Sequence, residues 1–70
     1  MNALEWFTGT VELVPGYTVR NADGEEVGAV KDARLAVQGG YLHMEVPGTD
    51  FVQIVSAPGV RRVTYQTPGP

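Results

Sequence analysis

Cysteine is absent from this 70-residue chain, and histidine and serine occur once each, as His43 and Ser56. Without cysteine there is no disulfide framework, iron–sulfur cluster, thiolate zinc site or cysteine nucleophile. One histidine and one serine leave almost no stock for metal or triad chemistry, and no cofactor is expected. Charged residues make only 19% of the chain, which argues against a solvated, disordered tail. No apolar run approaches the roughly 18 residues of a membrane span. The N-terminal stretch before Thr8 has neither a basic region nor a long apolar one, so no signal peptide is expected. A cytoplasmic or virion-associated location follows as the expectation. Five cations, Arg20, Lys31, Arg34, Arg61 and Arg62, are interleaved with eight acids, for a net charge of −3. Duplex nucleic acid, which needs clustered cations near phosphates, is disfavoured.

What the chain does have is β-branching. Eleven valines, six threonines and one isoleucine outnumber four leucines and six alanines, and such side chains pack better on a pleated surface than in a helix. Nine glycines and five prolines fill a fifth of the chain. They recur as turn signals: Pro15-Gly16, Asn21 to Gly24, Gly39-Gly40, Pro47 to Asp50, and Pro58-Gly59. This spacing reads as short strands in one small barrel or sandwich.

The alternation places strands at residues 4–14, 17–20, 26–33 (continued or restarted over 34–38), 41–46, 51–56 and 60–66. In the first, Phe7, Gly9, Val11 and Leu13 share a face. In the third, Val27 and Ala29 alternate until Val30 breaks parity, which a bulge near Gly28 or Ala29 would repair. A helix through Leu35 is the rival for that stretch, and a one-turn helix is a further possibility over 57–63. Gly39-Gly40 reads as a tight hairpin. Leu42, Met44 and Val46 alternate cleanly against Tyr41, His43 and Glu45. The stretch from Phe51 is apolar on both faces, as expected of a central or covered strand. The domain is placed at 1–66, with 67–70 as a Pro/Gly tail.

Few constellations could carry chemistry. His43, with Tyr41 and Glu45 on its face, reads either as a base oriented by Glu45 or as the polar face of a half-buried strand; no nucleophile stands at a fitting spacing. Asp23, Glu25 and Glu26 around Gly24 are too short for a cation loop and suit a solvated turn. Ser56 precedes a turn and lacks a nucleophile-elbow pattern. Arg61 and Arg62, with Tyr65 nearby, read either as an anion contact with a stacking ring or as charges guarding an edge strand. Trp6 and Phe7 point to opposite faces, so one ring is a candidate interface anchor unless both are covered at a barrel end.

The stretch from Gly16 to Asp32, with Val19, Asp23, Gly24, Val27, Gly28, Val30 and Asp32, resembles the opening of PRC-barrel domains. The likeness extends in strand order to Tyr65. It implies an adaptor module that binds protein partners without catalysis. The N-terminal Trp6 strand departs from that pattern.

The expectation is an all-β domain of five or six antiparallel strands, a small SH3-like or PRC-like barrel. The functional expectation is a non-catalytic protein-interaction or assembly module, engaging a protein partner or a second copy through Trp6, Tyr41, His43, Arg61, Arg62 and Tyr65. Two rivals are a viral structural protein, such as a capsid decoration or connector subunit, and an RNA- or ribosome-associated barrel using Arg61 and Arg62.

Overall fold

The computed structural model describes residues 4–67. Residues 1–3 of the expected domain and 68–70 of the expected tail lie outside these residues. The elements are β1 (Phe7–Leu13), β2 (Val19–Arg20), β3 (Glu26–Val27), β4 (Ala29–Gln38), β5 (Tyr41–Glu45), β6 (Gln53–Ser56), a 3-10 turn (Ala57–Gly59) and β7 (Val60–Thr64). Five strands form one antiparallel sheet in the order β6-β5-β4-β1-β7, and β2 and β3 form a separate hairpin. The fold is thus mostly β, and the helix considered through Leu35 is a ten-residue strand. The short helix considered over 57–63 survives as the single 3-10 turn, which starts where proline's fixed φ is tolerated.

The core follows from alternation. Gly9, Val11 and Leu13 of β1 are buried and Phe7 is half-buried, as the shared face requires. They meet Val30, Ala33 and Leu35 of β4, Leu42 and Met44 of β5, Val46, and Val55 of β6. Every side chain in this cluster is apolar. Val19 of the hairpin joins it at 2% exposure, so β2 covers part of the sheet's inner side.

Two details differ from the sequence reading. Residues 26–33 are not one strand: the chain leaves β3 at Gly28, whose carbonyl accepts from the Leu13 amide at 2.8 Å, and enters the main sheet as β4. The bulge lies further on. Gly9 opposes Ala33 while Val11 opposes Val30, so Thr10 faces both Lys31 and Asp32. Asp32 takes a left-handed conformation, φ 57°, which aspartate tolerates better than most residues.

The stretch from Phe51 is also corrected. Its ordered strand begins at Gln53 and forms an outer edge of the sheet, bonded to β5 alone. Phe51, Val52 and Ile54 are exposed rather than covered. Only Val55 enters the core, because the apolar residues of this run exceed the inner face available to it.

The hairpin is held by side chains. Asn21 accepts from the Asp23 and Glu25 amides through Oδ1, at 3.0 and 2.9 Å, and shapes the turn around Gly24. Gln53 reaches from β6 to the Arg20 peptide: its Oε1 accepts from the Arg20 amide and its Nε2 donates to the Arg20 carbonyl, both at 2.8 Å. This side chain ties the hairpin to β6, with which β2 forms no ladder. Replacing Gln53 with leucine removes both bonds at an exposed site, where water takes over part of their role. The expected cost is about 1 kcal/mol, with faster hydrogen exchange at the Arg20 amide. An Arg20 amide that exchanges as in the unsubstituted protein would show that Gln53 does not clamp the hairpin.

Candidate functional site

Strand register decides which sequence candidates share a surface. Phe7 opposes Leu35, and Leu35 opposes Met44. Leu35 and Met44 are fully buried, so this row faces inward. By alternation the neighbouring rows face outward. One outer row runs Ala36, His43, Ile54; on either side lie Arg34 opposite Glu45, and Gln38, Tyr41, Ser56. Trp6, one residue before Phe7, continues β1 on this outer side, and the Arg34 guanidinium lies 5.2 Å from its ring centroid. That distance permits a cation–π contact. Arg34 also reaches Glu45 at 3.4 Å.

Trp6, Tyr41 and His43 therefore share the outer face. Trp6 and His43 are half-buried, while Tyr41 and Ile54 stand 52% and 58% exposed. Ala36 is fully buried although its row faces outward, which means larger neighbours cover the middle of this face. His43 has an alanine and an isoleucine as its cross-strand neighbours, the setting of a polar residue on a half-covered strand.

The other three candidates lie elsewhere. Tyr65 stacks on Phe7, with centroids 4.9 Å apart and planes tilted by 52°. It borders an open groove of about 420 Å³ with Gly9, Asp32 and Thr64. Arg62 opposes Glu12 and reaches its carboxylate at 3.6 Å. Val60 opposes Leu13 and Arg62 opposes Glu12, so Arg61 is the extra residue of a bulge. Both arginines sit on β7, the second edge of the sheet. The aromatic pair at the N-terminus divides as its alternation demands: Phe7 packs against the core and Trp6 faces out.

Two residues of this surface, and one on the inner side of β6, were missed by sequence reasoning. Ile54 was hidden in a run apolar on both faces. Arg34 had no signal beyond its charge, since its partner Trp6 is 28 residues away. Gln53 carries no motif at all. At the hairpin, the Thr18 hydroxyl donates to Glu26 at 2.6 Å. That bond, with Arg20 alongside at 3.4 Å, holds the Glu26 carboxyl below the usual carboxylate range.

Among the described residues no group of three or more His, Asp or Glu could hold a metal ion, and no helix is long and apolar enough to cross a membrane. Comparison with family models, with curated proteins and with solved structures found no match to this chain.

Proposed function

We propose that this chain is a non-catalytic protein-interaction or assembly module, built on a small SH3-like or PRC-like barrel. The barrel reading is supported by the β2–β3 hairpin, which lies over the inner side of the five-stranded sheet and is clamped to β6 by Gln53. The functional reading rests on one observation: Trp6, Tyr41 and Ile54 share an outer face with Arg34 and His43. Tryptophan, tyrosine and arginine are the residues that most often anchor protein interfaces. The RNA reading has less support, because Arg62 is engaged by Glu12 and its neighbours offer no second basic row.

A photo-crosslinking residue at position 41, compared with one at position 23 on the hairpin turn, tests the proposal. In extract of the source cells, position 41 is expected to give a discrete protein adduct that is lost on Trp6→Ala. Trp6→Ala itself is expected to remain folded, giving up the Arg34 contact, worth about 1 kcal/mol at a partly exposed site. Equal, diffuse labelling from both positions would overturn the reading, as would an adduct indifferent to Trp6→Ala.

A further inference from the structure

The two edges of the main sheet are built differently. β7 carries Arg61 and Arg62 and a bulge at Arg61, devices that discourage pairing with another chain. β6 has none of them. From Phe51 to Ala57 the chain runs seven residues without a charge, a proline or a glycine. Its composition of Phe, two Val and Ile with Gln and Ser is that of segments that pair with copies of themselves.

The hydrogen-bond parity of β6 is determined. Ala57 donates to the Gly40 carbonyl at 2.8 Å, in register with the β5–β6 pairs. In an antiparallel ladder the bonded pairs alternate. Leu42–Val55 and Met44–Gln53 are then the bonded pairs, and the peptide groups of Ile54 and Ser56 point away from β5. Among the described residues no backbone bond reaches Ile54 or Ser56 from that free side. The inner side of this strand is already occupied, by Val55 in the core and by Gln53 on Arg20. The edge and the outer face remain open.

We infer that β6 is the site at which two copies of this chain pair, antiparallel about a two-fold axis at Ile54. This deepens the reading of the chain as an interaction module by naming its partner. The parity is self-complementary: Ile54 exchanges both bonds with its symmetry mate, and Val52 does so with Ser56. Side chains at 52, 54 and 56 fall on the outer face, so the two Ile54 side chains meet there beside Tyr41 and His43. No charge on this stretch opposes its copy. A short edge of this kind buries little surface, below the roughly 1,200 Å² of a standard interface, so the pairing is read at raised concentration.

Sedimentation equilibrium and concentration-dependent hydrogen exchange test this on the intact chain. The mass is expected to rise from 7.5 kDa toward twice that value. Over the same range the amide exchange of Ile54 and Ser56 is expected to slow. Ile54→Lys, at an exposed position, is expected to abolish the shift, while Val37→Lys, also exposed but off this strand, leaves it intact. A chain that stays monomeric, or Ile54 and Ser56 amides that exchange equally fast at all concentrations, would overturn the inference. So would a dimer indifferent to Ile54→Lys. If pairing fails while position 41 still captures a different protein, the interaction-module reading stands and only the self-pairing falls.

Discussion

Leu35→Ala is expected to cost about 2–5 kcal/mol and to lower the melting temperature by at least about 8 °C. Leu35 is fully buried at the centre of β4, between Phe7 on β1 and Met44 on β5. Truncation leaves a cavity whose walls belong to three paired strands, and their ladders resist collapse into it. A chain of 70 residues without disulfides has little to spare: marginal stability at this size is about 4–10 kcal/mol in total. Much of it would be lost with one side chain. Val37→Ala, two residues further along the same strand, is the control. Val37 is 66% exposed, and its truncation is expected to stay within about 0.5 kcal/mol. Urea denaturation followed by tryptophan fluorescence reports both. Equal losses at the two positions would mean that the core does not lie where burial puts it.

The second large effect is expected at Gly9. A Cβ at this position would lie 2.7 Å from the Thr64 carbonyl oxygen and 3.1 Å from the Tyr65 Cβ. The obstacle is backbone of the neighbouring strand, so it cannot turn aside as a side-chain end would. Gly9→Ala must push the end of β7 away from β1. The expected cost is about 1–3 kcal/mol, with disturbance of the Phe7–Tyr65 stack, visible in the near-ultraviolet circular dichroism. Gly28→Ala separates this close approach from the general effect of losing a glycine. The nearest atom to a Cβ there is the Tyr17 carbonyl oxygen at 4.0 Å, an ordinary contact. Gly28→Ala is expected to be neutral, or to stabilise slightly by reducing the freedom of the unfolded chain. If Gly9→Ala were as mild as Gly28→Ala, β7 would not be packed this tightly on β1.

Much of the site was legible before the fold was known, but not its grouping. Alternation separated Trp6 from Phe7 and aligned Tyr41 with His43, because the period of a strand is a local property. Arg61 and Arg62 read either as an anion contact or as charges on an edge strand, and the strand that carries them is an edge of the sheet. What alternation could not supply was neighbourhood across strands. Tyr65 belongs with Phe7 and not with Tyr41, because β7 pairs with β1 on the far side of β4. Arg34 meets Trp6 for the same reason: the Phe7–Leu35 pairing brings together residues far apart in the chain.

The apolar run from Phe51 shows the boundary most sharply. Local pattern counts apolar residues on each face and infers cover for both. Cover is a property of what packs against the strand, and at β6 the outer side is left largely open, with Ile54 more than half exposed.

By its own composition and periodicity the sequence determined the β class, the turn positions, the inward set on β1 and β5, and the absence of thiol chemistry. These depend on residue size, backbone freedom and a two-residue repeat, all readable within a few positions. The tertiary structure alone decided the strand order, the bulge at Asp32, the clamp of Gln53 on Arg20 and the contrast between the guarded edge β7 and the bare edge β6. Each of these depends on which distant peptide groups satisfy one another, and that choice is made only when the chain closes on itself.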